Sequence, residues 1–96
     1  MPRVALTEKA ESDLQAIHEH YSGLVGVVGA DDVVADIFDR LEQLQRFPGS
    51  GRPSQVPDVR ELVLNQIPFV VPYRLALGQV QVLRILHQRT ERHQQW

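Results

Sequence analysis

The strongest constraint on the fold is a break near the middle of the chain. The segment Phe47–Pro53 (FPGSGRP) holds two Pro and two Gly within seven residues, a composition that ends helices and strands alike. Before it, apolar residues recur with helical spacing, and after it they form short extended runs. The chain is therefore predicted to be α+β, with a helical first half and a sheet-forming second half.

The first half predicts one strand followed by a helical hairpin. Residues Arg3–Leu6 are a short strand, and Thr7 is placed to cap the helix that follows. That helix is expected to stop at Gly23, and a second one to run from about Ala30 or Asp31 to about Arg46. Each helix carries one apolar stripe, formed by Ala10, Leu14, Ile17 and Tyr21 and by Val33, Val34, Ile37, Leu41 and Leu44.

The second half predicts three antiparallel strands. They are Arg60–Leu64, Phe69–Leu77 and Val80–Leu86, and the last two form a hairpin turned at Gly78–Gln79. Pro72 lies inside the middle strand, which requires either a bulge or a sheet edge there because Pro has no N–H to donate. The predicted order is β-α-α-β-β-β, with both helices packed on one face of the sheet.

Composition limits the chemistry available to the chain. A length of 96 residues suits a single domain, 1–96. The absence of Cys excludes disulfides, a thiolate nucleophile and Cys-ligated metals. His18 and His20 point to different sides of a helix, so no metal site is expected, and nothing indicates a cofactor. No apolar run approaches the ~18 residues of a membrane span, so a cytoplasmic protein without membrane contact is predicted.

The charge is divided unevenly between the two halves. The net charge of −2 combines −5 in residues 1–50 with +3 in residues 51–96, and nine of the ten basic residues are Arg. Because guanidinium groups fork onto carboxylates and phosphates, the second half is expected to recognise an acidic surface. An ordinary solvated surface would have the same composition, so charge alone leaves both interpretations open.

The order of several short motifs along nearly the whole chain resembles the RelE/ParE superfamily of toxins from bacterial type II toxin–antitoxin modules. The matching motifs are Ala10, Asp13-Leu14, Ile17 and Tyr21, then Leu41, Leu44 and Phe47-Pro48, then Gly51-Arg52-Pro53, Arg60-Glu61-Leu62, Tyr73-Arg74 and Leu83 to Arg89. The resemblance implies the fold derived above and a cognate antitoxin that silences the toxin, with growth arrest and plasmid stabilisation as outcomes. RelE-like members cut messenger RNA on the ribosome, whereas ParE-like members inhibit DNA gyrase.

A ribonuclease would need proton-transferring groups and cations around the scissile phosphate. The resemblance offers His87 for acid–base work, with Arg84 and Arg60 for charge. The next position, a Tyr in many ribonuclease members, is Gln88, which cannot transfer protons. The chain also has a single Lys. A net charge of −2 is unfavourable for binding to ribosomal RNA, whose phosphates attract positively charged proteins.

A ParE-like inhibitor needs a docking surface and no catalytic set. We expect Arg74, Arg84, His87 and Arg89 to provide it, since Arg is enriched among interface anchors. Site chemistry therefore favours gyrase inhibition. The ribosome-dependent endoribonuclease remains the alternative, a non-toxic remnant is a third possibility, and the question of enzymatic activity stays open.

Structural roles compete with these functional ones. His87 could cap a strand end by a hydrogen bond. Arg84 could project toward a concave face or pair with Glu61 across the sheet. Tyr73 is expected in the core with its hydroxyl hydrogen-bonded. The tail Thr90–Trp96 is expected to be a last helical turn or loose.

The Gly23–Gly29 segment predicts a partner. Its residues Leu24-Val25 and Val27-Val28 have no place in either helical stripe. Apolar surface left over by a small core indicates an interaction site. We therefore expect an antitoxin segment, as an amphipathic helix or an extended strip, to cover apolar surface along the helical hairpin and the sheet edge.

Overall fold

The computed structural model describes residues 3–89 of the chain, so the predicted tail Thr90–Trp96 lies outside the described residues. It has an α+β architecture, as predicted, with a helical element on one face of a six-stranded sheet. The elements are β1 (Arg3–Leu6), α1 (Glu8–Arg46), β2 (Arg52–Pro53), β3 (Arg60–Leu64), β4 (Phe69–Ala76), β5 (Gln79–Val82) and β6 (Leu86–His87).

Thr7 starts the helix and also fixes it to the sheet. Its Oγ1 accepts a hydrogen bond from the backbone N–H of Ala10 at 3.1 Å, which is the N-cap bond that the sequence predicts. The same hydroxyl donates to the carbonyl of Leu83 at 2.8 Å. The backbone N–H of Thr7 donates to Val82 O at 3.0 Å. The cap therefore sets where α1 begins relative to β5.

The predicted connection between two helices is wrong. One helical element, α1, runs from Glu8 to Arg46, and inside it only Gly26 leaves helical dihedral angles, with φ 82° and ψ 171°. The element bends sharply there. The bend is evident from the distance of 2.7 Å between His18 Nε2 and Asp31 Oδ1, since thirteen residues of straight helix span about 20 Å. A single Gly suffices for this reversal because it adopts positive φ without a Cβ clash.

The sheet is mixed and larger than the predicted three antiparallel strands. Its order is β1-β5-β4-β3-β2, with β6 also pairing with β4, and β1 runs parallel to β5 while every other pairing is antiparallel. The predicted strand Val80–Leu86 is divided into β5 and β6. The predicted hairpin is present, but its turn consists of Leu77 and Gly78 rather than Gly78–Gln79, because Gln79 already belongs to β5. Both turn residues have positive φ, as a tight two-residue hairpin requires.

Pro72 explains why the last strand is divided. Tyr73 pairs with Val82 and Val70 pairs with Leu86, so two residues of β4 face three of the other strand, which is the bulge that the sequence allowed for. Leu83 N donates to Pro72 O at 2.9 Å, but Pro72 has no N–H to return the bond. The carbonyl of Leu83 is instead satisfied by Thr7 Oγ1.

The core lies between α1 and one face of the sheet. Both halves of α1 contribute apolar residues from the predicted stripes, and the sheet supplies alternate residues. The buried cluster contains Ala10, Leu14, Ile17, Ile37, Leu41, Leu44, Leu62, Leu64, Phe69, Val71, Tyr73, Val80, Val82 and Ile85. No helix within residues 3–89 is both long enough and apolar enough to cross a membrane.

Tyr73 joins the core to the central break, and its predicted buried position is confirmed. Its hydroxyl donates to Pro48 O at 2.7 Å and accepts from Gly51 N at 2.8 Å. A Cβ at position 51 would come within 2.6 Å of the Tyr73 ring, so only Gly permits this approach. The Tyr73 hydroxyl therefore ties Pro48 and Gly51 of the FPGSGRP segment to the core.

Candidate functional site

The bulge between β5 and β6 directs Arg84 onto α1. Its Nε donates to Asp13 Oδ2 at 2.8 Å and its Nη2 donates to Asp13 Oδ1 at 3.0 Å. The same carboxylate accepts the backbone N–H of Ile85 at 2.9 Å. The hydrogen bonds that Arg84 donates to Asp13, together with the negative charge of Asp13, raise the pKa of Arg84 above its ordinary value, although partial burial opposes the shift.

This pairing corrects both structural roles considered for Arg84. Glu61 is not its partner: the Glu61 carboxylate accepts from Arg52 Nε at 3.3 Å and Nη2 at 3.2 Å. Arg84 also does not stand free on a concave face, because Asp13 engages two of its nitrogens. In the sequence, the position of Asp13 off the apolar stripe indicates a polar role. Its partner lies 71 residues away, so residue spacing does not identify it.

His87 closes the end of β6. Its Nδ1 accepts the backbone N–H of Arg89 at 3.1 Å, and its ring meets Phe69 edge-on with centroids 5.9 Å apart. The imidazole is exposed. This geometry agrees with the strand-end cap that the sequence offered as the structural role of His87.

The three residues proposed for ribonuclease chemistry do not converge. His87 pairs with Phe69 on one edge of β4, and Arg60 pairs with Tyr73 on the other edge. Phe69 and Tyr73 are four positions apart along the strand, or about 13 Å. Arg60 and Arg84 line separate hollows, and His87 lines neither of them. The fold therefore does not place His87 beside either guanidinium.

Arg60 and Arg74 are brought together instead. Both line a cleft of about 570 Å³ between the end of β4 and the segment 54–59, together with Pro48, Pro53, Ser54, Val56, Pro57, Asp58, Val59, Tyr73, Leu75 and Ala76. The sequence identified both Arg residues but not the cleft. Its walls come from segments that only the tertiary structure places side by side.

The two Arg side chains approach this cleft from different faces of the sheet. Arg60 donates from Nη1 to Gly51 O at 2.9 Å. Tyr73 faces the core beneath α1, so the adjacent Arg74 points to the opposite face. Arg74 is exposed, and its Nε donates to Gln81 Oε1 at 2.8 Å.

Acidic and basic residues are distributed unequally between the helical element and the sheet segments. The α1 element holds nine acidic residues and three basic ones, whereas residues 52–89 hold two acidic and five basic ones, giving formal net charges of −6 and +3. The helical side is therefore acidic and the sheet side basic. Within residues 3–89, no group of three or more His, Cys, Asp or Glu side chains could hold a metal ion.

The bend of α1 exposes an apolar tip. Leu24, Val25, Val27 and Val28 flank Gly26 and are 60–77% exposed. Side chains of this kind on a small monomer are a signature of an interaction site when they are contiguous. The sequence identified these residues as having no place in the core stripes, and the structure agrees.

Comparison with known proteins agrees with this fold. The family described as "ParE toxin of type II toxin-antitoxin system, parDE" matches residues 4–92. A solved structure titled "Chromosomal ParDE TA system from P. aeruginosa" superposes with a TM-score of 0.83 at 42% identity, covering 91% of this chain and 96% of that one.

A curated relative from Sinorhizobium fredii (strain NBRC 101917 / NGR234), "Putative toxin Y4kP", is 42% identical over 64 residues. The match covers 67% of this chain and 62% of the length of that relative. The family match spans nearly the whole chain, and the fold agrees with that of the P. aeruginosa structure. This chain belongs to the ParE toxin family of type II toxin–antitoxin systems.

Proposed function

We propose that the chain is a cytoplasmic toxin that inhibits DNA gyrase by docking through exposed residues of its basic second half, without cutting a nucleic acid. The observation that carries the proposal is the separation of His87, Arg60 and Arg84, which supports a mode of action without nuclease chemistry. A docking inhibitor needs exposed anchors only, and Arg74, His87 and Arg89 are exposed. Their exposure supports this mode of action.

Arg84 has a different place in this proposal from the other predicted target-binding residues. Two of its guanidinium nitrogens are already hydrogen-bonded to Asp13. Breaking that pair to bind a target would leave a partly buried carboxylate without its cation, which is costly. We therefore assign direct target contact to Arg74, His87 and Arg89, and assign Arg84 the positioning of β6, which carries His87.

The test is to induce the chain alone and follow DNA and protein synthesis separately. We expect DNA synthesis to stop first, and purified chain to inhibit supercoiling by gyrase in vitro. A loss of translation that precedes the loss of replication, with cleaved ribosome-bound messenger RNA, would establish the endoribonuclease alternative instead. The absence of any growth arrest would indicate a non-toxic remnant.

We also propose that a cognate antitoxin covers the exposed tip formed by Leu24, Val25, Val27 and Val28. The tip lies on the acidic α1 element, so an amphipathic helix with basic residues beside its apolar stripe is the complementary partner. The P. aeruginosa structure is titled as a ParDE system, which supports such a partner here. Co-expression with the neighbouring reading frame, followed by amide exchange over residues 24–28, tests the contact: no complex, or unchanged exchange, contradicts it.

A further inference from the structure

The hairpin turn between β4 and β5 contains a residue that its backbone conformation does not favour. Leu77 has φ 54° and Gly78 has φ 72°, so both lie in the left-handed region, as a two-residue turn of type I′ requires. Gly, Asn and Asp adopt this conformation readily, whereas a Leu is strained there. Local stereochemistry therefore does not account for Leu at position 77.

Packing does not account for Leu77 either. Its side chain is fully exposed, so it buries no apolar surface and adds nothing to the core. Leu75, two residues earlier in β4, is 55% exposed. One exposed Leu on a surface is ordinary, but a strained backbone that holds a fully exposed Leu lowers stability twice. Strained residues of this kind concentrate at functional sites, which makes Leu77 a candidate for a binding role.

Two cations without carboxylate partners flank the hairpin turn. Arg3 pairs with Gln79, the first residue of β5, and Arg74 lies in β4, three residues before Leu77. Both Arg side chains are exposed, and no ion pair within residues 3–89 includes either of them. One carboxylate, that of Asp58, lines the cleft beside the end of β4. The turn is therefore an apolar projection with a guanidinium on each strand that neighbours β5.

We infer that Leu77 is the apolar anchor of target binding and that its side chain inserts into an apolar pocket with an acidic rim on the target protein. The inference rests on the proposed function, in which the chain docks on gyrase, and it adds the residue that provides most of the affinity. A fully exposed side chain gains the most from burial at an interface. Arg3 and Arg74 are placed to bind carboxylates around the pocket, and Arg74 already belongs to the proposed target contact.

Leu77→Asn separates anchoring from folding, because it should change stability and inhibition in opposite directions. Asn-Gly is a preferred pair for a type I′ turn, so we expect the melting temperature to rise by about 2–6 °C. Loss of the apolar side chain should raise the concentration of chain that halves gyrase supercoiling by about ten- to a hundredfold. A fall in both the melting temperature and the inhibition would give Leu77 a structural role and contradict the inference.

Matched variants elsewhere on the molecule serve as controls. Phe38→Ala removes a side chain of α1 that is 45% exposed, and it should change inhibition by less than about threefold. Arg3→Glu and Lys9→Glu reverse one charge each. The bond from Thr7 N to Val82 O places the start of α1, with Lys9, at the end of β5 away from the turn. Arg3→Glu should weaken inhibition about tenfold, and Lys9→Glu by less than about threefold.

Graded induction in cells gives a readout that does not depend on the identity of the target. If the purified wild-type chain does not inhibit gyrase, the proposed function fails. Growth arrest that is weaker for Leu77→Asn than for wild type would then support the same anchor on a different target protein. Growth arrest and inhibition unchanged in Leu77→Asn would overturn the inference, as would equal losses in Leu77→Asn and Phe38→Ala.

Two further results would also overturn it. A wild-type chain that neither arrests growth nor binds gyrase has no target for Leu77 to anchor. The oligomeric state, measured by light scattering, tests a second copy of the chain as the occupant. A wild-type dimer that Leu77→Asn converts to a monomer, with inhibition unchanged, would assign the turn to that second copy instead of the target.

Discussion

Asp13 and Arg84 are 71 residues apart in the sequence and share two hydrogen bonds of 2.8 and 3.0 Å. Their side chains are only 16% and 26% exposed. The Asp13 carboxylate also accepts the N–H of Ile85, which the bulge has removed from the ladder. One acidic side chain of α1 therefore compensates both the charge of Arg84 and the backbone N–H of Ile85 that the bulge leaves unpaired.

Removing this carboxylate should destabilise the fold. We expect Asp13→Ala to lower the free energy of unfolding by about 2–4 kcal/mol, because it leaves Arg84 and the Ile85 N–H without their acceptor. Asp13→Asn keeps one oxygen and should cost less. Denaturant unfolding measures the change, with the exposed Asp36→Ala as control. Equal stability of Asp13→Ala and Asp36→Ala would refute the stabilising role of the Asp13–Arg84 pair.

The contribution of Arg84 should not depend on pH across the neutral and alkaline range. Asp13 raises the pKa of Arg84 in the folded state. The stabilisation by Arg84 is therefore fully present below the ordinary Arg pKa, which lies far above neutral pH, and is lost only as the pH rises through the raised value. We predict that the stability difference between wild type and Arg84→Gln is equal at pH 7 and pH 10, measured by urea unfolding. A difference that shrinks between these pH values would contradict this prediction.

Two glycines of α1 should respond in opposite directions to the same substitution. Gly26 has φ 82°, so Gly26→Ala should destabilise the protein by about 1–3 kcal/mol. Gly23 is helical with open space around its Cβ position, so Gly23→Ala should stabilise it by about 0.5–1 kcal/mol. Thermal unfolding of the pair tests the position of the bend, and similar melting temperatures would place the bend elsewhere.

A docking role and a catalytic role of His87 predict different results for His87→Gln. The Gln side-chain amide can form hydrogen bonds, as the imidazole does, but it cannot transfer protons. A docking surface should lose less than about tenfold in inhibition of gyrase supercoiling, while Arg74→Glu should lose more. Growth arrest abolished by His87→Gln, with intact folding by circular dichroism, would instead support proton-transfer chemistry.

Local sequence patterns were sufficient to predict the features that depend on neighbouring residues. Thr7 as cap, the apolar stripes of α1, the end of the helix before Pro48 and the presence of a hairpin that turns near Gly78 all follow from local stereochemistry and periodicity. The sequence also identified the exposed tip, since Leu24 and its neighbours fit neither stripe. These predictions agree with the structure because a few residues suffice to decide each of them.

The features that join distant segments depend on how the whole domain packs. Gly26, rather than Gly23 or Gly29, reverses α1 because packing of both stripes on one face selects the bend, whereas all three glycines have the same local freedom. The parallel β1–β5 pair, the Asp13–Arg84 ion pair and the cleft beside Arg60 and Arg74 depend on strand register across the sheet. Register is set by burial and turn geometry of the whole domain, so no local pattern in the sequence specifies it.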